Sequence, residues 1–179
     1  MSNMALDVKV FIDACDQQPS PDNVHLYRTL IAEEYDEFCQ ALSGRALCRF
    51  AYTLRTIAEQ NELYKQGRPN GKKVTNAKGG QSYHNYGLAF DIVLLIDKDK
   101  NGSFESASWE TNVDFDGDGK ADWQEIVQIA KSYGWIWGGD WKFTDMPHFE
   151  KTFGLSVKEL ENRVNSGRVI PGTLYPILS

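Results

Sequence analysis

A nine-residue apolar run, LAFDIVLLI at residues 88–96, constrains the fold of this chain more than any other feature. The run is apolar at both odd and even positions, which predicts a strand that is buried on both faces. Asp91 interrupts this run, and a buried carboxylate without a partner is costly. The strand is therefore expected to lie inside a layered domain, where the Asp91 carboxylate needs a compensating partner.

The segments around this strand predict an α+β domain. Short apolar stretches predict further strands, whereas apolar residues at three- and four-residue steps predict helices. Strands are expected at residues 47–54, 88–96, 135–139 and 147–153, and helices at residues 4–15, 24–42, 57–67, 122–134 and 156–167. Gly134 follows one helix, and Ser156 with Glu159 forms a capping box at the start of another. We therefore expect a small, mostly antiparallel sheet flanked by helices.

Charge and apolar content argue against several classes of function. The net charge of −6 over 179 residues argues against nucleic-acid binding, which needs clustered Lys and Arg. No apolar run reaches the roughly 18–20 residues of a membrane span, and the first residues lack the pattern of a secretory signal. The cysteines, Cys15, Cys39 and Cys48, form no CxxC pattern, so reduced thiols are expected. We expect a monomer that is made in the cytosol.

Two of the three histidines lie in unusual surroundings, and His84 is the first. It precedes Asp91 by seven residues, and residues seven apart in a regular strand face opposite sides. Their side chains can converge only if the chain bends between them, and Gly87 permits such a bend. A divalent cation would then explain the carboxylate in a buried strand. The alternative is that His84 is an ordinary loop histidine and that Asp91 caps or pairs locally.

The second unusual histidine is His148, in the segment TDMPHFE. Pro147 fixes its own φ and favours an extended Met146, so that Asp145 and His148 are aimed rigidly. Together with the first histidine and its aspartate, this residue gives two imidazoles and one carboxylate. Such a three-ligand site with an open fourth position is typical of catalytic zinc. Asp145 is then a candidate general base that takes a proton from water.

Three segments resemble a known family. SYHNYGLAFD (82–91) matches the motif SxHxxGxAxD of the zinc D,D-carboxypeptidase and L-alanyl-D-glutamate peptidase family, which cuts bacterial peptidoglycan. DMPHFE (145–150) resembles the family's second histidine motif, and LRTIAEQNELYKQGR (54–68) resembles its Arg-Thr…Gln…Leu-Tyr…Gln-Gly segment. WGGDWKFTDMPHFE (137–150) is most similar to the phage endolysin branch, and the resemblance runs over about residues 50–153.

The resemblance implies roles for individual residues. The implied zinc ligands are His84, Asp91 and His148, and the implied general base is Asp145. Arg55 would polarise the scissile carbonyl and hold the oxyanion. Ser82 would orient the ligands from behind them. The fold implied is that of the D,D-peptidase and hedgehog-like zinc peptidases for residues 49–179, with residues 1–48 as a helical N-terminal extension.

The reaction implied is hydrolysis of the L-alanyl-D-glutamate bond in the peptidoglycan stem peptide. The implied protein is an endolysin that stays in the host bacterial cytoplasm until lysis and then acts on the cell wall. A D-alanyl-D-alanine carboxypeptidase is the alternative within the same family. A module that binds calcium or cell wall without catalysis is the alternative of another class.

An acidic segment, DFDGDGKADWQE at residues 114–125, fits the calcium-loop template D-x-D-x-D-G-x-x-D-x-x-E without a gap. The expected calcium ligands are Asp114, Asp116, Asp118, Asp122 and Glu125, with Lys120 contributing its carbonyl. Residues 97–108 begin in the same way but end in Ser108, which predicts a weaker site. Calcium is expected to order the loop of residues 97–125 beside the zinc cleft and so to regulate activity. The alternative is a solvated acidic turn.

The first residues carry a second, weaker resemblance. Residues 19–42 resemble the first helices of MazG-type nucleotide pyrophosphohydrolases, and Glu33, Glu34 and Glu37 match their magnesium-binding EExxE motif. The partner ExxD motif is missing at a plausible distance, and a glutamate cluster on a helix is usually its solvated face. Nucleotide pyrophosphohydrolysis is therefore a remote alternative.

Overall fold

The computed structural model describes residues 37–38, 40–42, 44–172 and 175–178. Several features discussed above lie outside these residues: the predicted helix at 4–15, most of the one at 24–42, Glu33, Glu34, Cys15 and Cys39. Within the described part, no helix has both the length and the apolar character needed to span a membrane.

The described chain has an α+β architecture, as predicted. The strands are β1 (Ala46–Tyr52), β2 (Ala89–Ile96), β3 (Ser106–Ser108), β4 (Ile136–Trp137) and β5 (His148–Glu150). The helices are α1 (Ile57–Lys65), α2 (Asp122–Ser132) and α3 (Val157–Asn165), with 3₁₀ turns at Tyr83–Tyr86 and Gly138–Asp140. Every strand and helix predicted from residue 47 onward is present, although the observed elements are shorter than the predicted ones.

The apolar run forms the centre of the sheet. All described strand pairs are antiparallel, in the order β1-β2-β5-β4, and β3 pairs with the far end of β2. Strand β2 is therefore hydrogen-bonded on both edges and covered on both faces, which explains why its sequence does not alternate between apolar and polar residues.

Alternate residues of β2 face two different clusters. Phe90 and Ile92 lie in the main core, in which the Phe90 ring stacks on Phe149 and meets Trp135 edge-on. Val93 and Leu95 face the opposite side, where they pack in a smaller cluster. Because side chains alternate along a strand, Asp91 shares the face of Val93.

The predicted domain boundary at residues 48/49 falls within β1. Phe38 and Leu42, at the described end of the predicted extension, lie in the same core cluster as Phe50. The Phe38 ring meets the Phe50 ring edge-on at 5.7 Å between centroids. The division into an extension and a catalytic domain stays a prediction, since the rest of the extension lies outside the described residues.

Two short elements escaped prediction. Residues 97–122 were expected to be loop throughout, but Ser106–Ser108 pairs with Leu94–Ile96. The sequence SAS has neither β-branched nor aromatic residues, so its pairing is set by the apolar partner strand and not by its own propensity. The 3₁₀ turn Tyr83–Tyr86 is too short to show a helical period.

Helix α3 supports this 3₁₀ turn. Its capping box is present as predicted, with Ser156 accepting a hydrogen bond from the Glu159 backbone and the Glu159 side chain accepting one from the Ser156 backbone. Leu160 is fully buried against Tyr86 and Leu88. The helix therefore packs behind the segment that carries His84.

Candidate metal centre

Pairing across the sheet brings two of the predicted ligands together. Asp91 lies directly opposite His148 in the β2–β5 ladder, and on its other side it is the partner of Tyr52 in β1. Directly opposite residues in an antiparallel sheet have Cβ atoms about 4.5–5.5 Å apart. The carboxylate and the imidazole are therefore neighbours because of the strand register alone.

The third predicted ligand reaches the same point through a bend. His84 lies in the 3₁₀ turn, and Gly87 ends that turn with φ 68° and ψ 26°, in the left-handed region that glycine tolerates. The bend predicted at Gly87 is thus confirmed. The Ser82 hydroxyl caps the turn by accepting a hydrogen bond from the His84 backbone N–H at 3.4 Å.

Three donor atoms converge at this point. The Nε2 atom of His84 lies 3.1 Å from Nδ1 of His148, and these nitrogens lie 3.3 and 3.2 Å from Oδ1 of Asp91. Ligands about 2.0–2.1 Å from a tetrahedral zinc ion are separated from one another by about 3.3–3.4 Å. The three donor atoms therefore have the spacing of one face of a zinc tetrahedron.

Hydrogen bonds on the far side of each ring fix which nitrogen carries the proton. The Nδ1 atom of His84 lies 2.7 Å from the Thr53 carbonyl oxygen, and Nε2 of His148 lies 3.1 Å from Oε2 of Glu150. Both partners only accept hydrogen bonds, so each of these nitrogens must donate. The opposite nitrogens, which face Asp91, then present lone pairs in the neutral rings. A cation or additional protons must compensate for the repulsion between these lone pairs and the Asp91 carboxylate. Two imidazole nitrogens and one carboxylate oxygen are a donor set that fits zinc.

The electrostatics show the same demand for positive charge. Burial alone would raise the pKa of Asp91, but the neighbouring His84 and His148 hold it well below its ordinary value. Burial alone would lower the pKa of His148, but its hydrogen bonds to Asp91 and Glu150 raise it to about 9. Protons thus neutralise a cluster that a divalent ion could neutralise instead.

Arg55 and Asp145 line the cleft in which these ligands meet. The cleft has a volume of about 480 Å³, and Ser82 also contributes to its wall. The guanidinium Nη2 of Arg55 lies 3.5 Å from Oδ2 of Asp91. The pKa of the Asp145 carboxyl lies above its ordinary value because neighbouring groups partly exclude water from it and because Asp91 opposes its ionisation. Both predicted catalytic side chains therefore face the predicted ligands.

The position of Asp145 is set by its backbone. Its N–H donates to the Gly138 carbonyl at 3.0 Å, and its own carbonyl accepts from the His148 N–H at 3.1 Å. A Cβ atom on Gly138 would lie 2.4 Å from the Asp145 carbonyl oxygen. Glycine at position 138 is therefore required for this close approach.

Sequence reasoning missed several residues of the site. Glu150, the partner of His148, follows it by two positions in a strand, so the period of two could have placed both on one face. The Thr53 carbonyl belongs to the backbone and leaves no signal in the sequence. Gln60 and Trp141 were also missed: Gln60 accepts a hydrogen bond from Arg55 at 3.0 Å, and the Trp141 ring centroid lies 5.2 Å from that of His148.

The acidic segment forms a turn with clustered carboxylates, none of which lines the cleft. Asp114 accepts hydrogen bonds from the backbone of Gly117 and Gly119, and its carboxylate approaches those of Asp116 and Asp122 within 4.8 Å. A second group within that distance consists of Asp116, Asp118 and Glu125. Residues 97–108 hold a third group, Asp97, Asp99 and Glu105.

Two comparisons with known proteins agree with the site described above. A family model described as D-alanyl-D-alanine carboxypeptidase matches residues 75–151, a range that contains all three converging donor residues. The peptidoglycan L-alanyl-D-glutamate endopeptidase CwlK of Bacillus subtilis (strain 168) is 41% identical over 141 residues, covering 77% of this chain and 79% of that protein. These matches confirm the family predicted from the motifs. The chain therefore belongs to the D-alanyl-D-alanine carboxypeptidase family of zinc metallopeptidases and is an enzyme of that class.

Proposed function

We propose that this enzyme is a zinc-dependent endopeptidase that hydrolyses the L-alanyl-D-glutamate bond of the peptidoglycan stem peptide. The observation that carries the zinc proposal is the convergence of three donor atoms at 3.1–3.3 Å in a cleft that also holds an acid and an arginine. The bond specificity is supported by the 41% identity with CwlK, whose name gives that activity.

In this proposal the chain's own residues hold the ion and move the proton. His84, Asp91 and His148 bind zinc, which when bound supplies Lewis acidity toward the scissile carbonyl and toward water. Asp145 accepts a proton from the attacking water and returns it to the leaving amino group. Its raised pKa suits this role, because a carboxylate with a higher pKa is a stronger base.

Arg55 supplies positive charge to the carbonyl oxygen as that oxygen becomes negative. The guanidinium lies 3.5 Å from Asp91 and lines the cleft, so it is close to the proposed site of reaction. A fixed donor of this kind stabilises the transition state more than the ground state, because the oxygen gains charge during the attack. Ser82 acts indirectly, by capping the turn that carries His84.

Cleavage of a terminal D-alanine is the second candidate activity. The observation that favours it is the family model over residues 75–151, whose description is D-alanyl-D-alanine carboxypeptidase. Both reactions hydrolyse an amide and need the same zinc ligands and base. They differ only in which peptide lies in the cleft, so the products decide between them.

The zinc proposal predicts that metal content depends on the three converging side chains. His148→Ala should purify with less than about a tenth of the zinc of the parent protein, because two remaining ligands hold the ion far more weakly. Zinc per chain is measured by plasma mass spectrometry. Asp140→Asn, on the same segment but paired with Lys131, is the control and should keep one zinc per chain. Full zinc occupancy in both His148→Ala and Asp91→Ala would contradict the ligand assignment.

The catalytic proposal predicts new D-glutamate amino termini when purified peptidoglycan is digested and the products are analysed by mass spectrometry. Asp145→Asn should keep its zinc but lose about 10²–10⁴-fold in kcat, since its amide cannot accept the proton. The control is again Asp140→Asn, which makes the same chemical change five residues away. Released D-alanine without new D-glutamate termini would establish the carboxypeptidase instead. Near-full activity of Asp145→Asn would remove Asp145 as the base.

We also propose that residues 114–125 bind calcium and that calcium regulates the enzyme. One oxygen of Glu125, Oε2, is buried without a hydrogen-bond partner among the described residues. The fully buried Asp122 has its pKa raised to about 6 by burial and by the nearby Asp116 and Asp114. Lys120 partly compensates, since its ammonium lies 3.1 Å from both Asp118 and Glu125. A calcium ion would replace that ammonium and satisfy the buried oxygens.

A continuous path connects this loop to the cleft. Asp122 is the first residue of α2, and α2 leads through β4 to Gly138, whose carbonyl holds the Asp145 backbone. Ordering of the loop would thus fix the start of the helix that precedes the catalytic segment. This connection is the structural basis for the proposed regulation.

The calcium proposal predicts saturable binding at millimolar calcium or below in isothermal titration. Glu125→Gln should weaken binding at least about tenfold, because the residue is the expected bidentate ligand. Glu110→Gln, which removes an exposed acid outside residues 114–125, should leave affinity unchanged. Absence of heat at millimolar calcium, or equal loss in both variants, would contradict the site.

We propose, finally, that the enzyme serves as a phage endolysin that accumulates in the host cytoplasm. This part rests on the similarity of residues 137–150 to the endolysin branch. Bacteria that express the chain should keep their optical density until a membrane-permeabilising agent is added, and should then lyse within minutes. The Asp145→Asn variant is the control and should not cause lysis. Lysis without permeabilisation would contradict this localisation.

A further inference from the structure

Among the described residues, Gln60 is the one fully buried polar side chain beside the cleft that the proposed chemistry does not use. It lies in α1, within the segment LRTIAEQNELYKQGR whose resemblance to the family was noted from the sequence, but no role was predicted for it. Both ends of its amide have partners: Nε2 donates to the Ala77 carbonyl at 2.8 Å, and Oε1 accepts from Nη1 of Arg55 at 3.0 Å. Because the Ala77 carbonyl can only accept, the orientation of the amide is determined. Its oxygen must point toward Arg55.

We propose that Gln60 is a positioning residue that holds the Arg55 guanidinium in its working orientation. This proposal rests on the function assigned above to Arg55. The other contacts of the guanidinium are weaker restraints, since the distance to Asp91 is 3.5 Å and Cζ lies 5.5 Å from the centre of the Tyr52 ring, which is 54% exposed. Gln60 provides a shorter, partly buried contact through a side chain that is itself fully buried.

The chemistry of an amide suits this role better than that of a carboxylate. An amide oxygen accepts a hydrogen bond from arginine without cancelling its charge, so the guanidinium keeps its full positive charge for the substrate. A glutamate at position 60 would form an ion pair with Arg55, and its carboxylate would also face the Ala77 carbonyl oxygen, acceptor against acceptor. Neutral Gln60 thus fixes the direction of Arg55 and leaves its charge available.

The contact also connects Arg55 to a second segment of the cleft lining. Thr75 and Ala77 line the cleft, and Gln60 bonds the backbone of Ala77. The next residue in the helix, Asn61, also bonds this segment: its side-chain oxygen accepts a hydrogen bond from the Gly79 N–H at 2.9 Å. Asn61 has no hydrogen bond to Arg55, so it offers a matched comparison.

The test is a double-mutant cycle between Gln60→Met and Arg55→Ala, with kcat and KM measured on purified peptidoglycan. Methionine fills a similar volume but cannot accept the guanidinium bond. Gln60→Met should lower kcat about 10- to 100-fold with little change in KM, as misplacement of a catalytic group does. In the Arg55→Ala background the same substitution should lower kcat less than about twofold further.

Asn61→Leu is the control for a purely structural effect. This substitution removes the hydrogen bond from the Gly79 N–H to the Asn61 side chain. It should lower the melting temperature, while kcat changes less than about twofold. An equal loss of kcat in Asn61→Leu, or an undiminished effect of Gln60→Met in the Arg55→Ala background, would overturn the proposal.

A second measurement does not depend on activity. In ¹⁵N NMR spectra, the Arg55 Nη resonances, assigned by their loss in Arg55→Lys, should be resolved in the parent protein and averaged by rotation in Gln60→Met. Equally resolved resonances in both proteins would contradict positioning by Gln60. If the parent protein cleaves no peptidoglycan bond, the proposed function fails, whereas this spectrum still tests the contact.

Discussion

The convergence of three lone pairs on one point determines how the cleft must be built. His84, His148 and Asp91 each direct a donor atom to positions 3.1–3.3 Å apart. Such an arrangement is repulsive unless positive charge lies between the donors. The surrounding structure forces the convergence: a strand register places Asp91 opposite His148, and a left-handed glycine returns His84 to the same point. Three acceptors held so close together need compensating positive charge, which the proposed zinc ion would supply.

The groups around this point fall into two kinds. The far nitrogen of the His84 ring bonds the Thr53 carbonyl, and the far nitrogen of the His148 ring bonds the Glu150 carboxylate. These two acceptors determine the tautomers of the histidines. On the open side, Arg55 and Asp145 bring one positive and one negative group to the cleft. In the proposed mechanism the first kind orients the zinc ligands and the second acts on the substrate. Because the two kinds are separate, Arg55 and Asp145 can carry charge without changing the orientation of the histidine rings.

The sequence predicted the parts of the site that depend on local pattern. The buried strand, the bend at Gly87 and the capping box at Ser156 follow from short stretches and are present. The pairing of Asp91 with His148 depends on which strands become neighbours, and a single sequence does not contain that register. Gln60 lies in a segment that resembles the family, but its burial depends on contacts between helix α1 and the 75–79 segment, which the local pattern does not contain. The strand at Ser106–Ser108 exists only because β2 offers it an edge.

The distance along the chain between the two histidines has a consequence for the folding of the protein. His84 and His148 are 64 residues apart, and His148 lies in β5, a strand that is three residues long. An ion bound to both closes a loop of that length, and its binding energy becomes folding energy because the unfolded chain holds no such site. The ion would then act as a reversible cross-link between two distant segments of the chain. Chains that fail to acquire metal would be both inactive and easier to unfold, so cellular proteases would remove idle copies first.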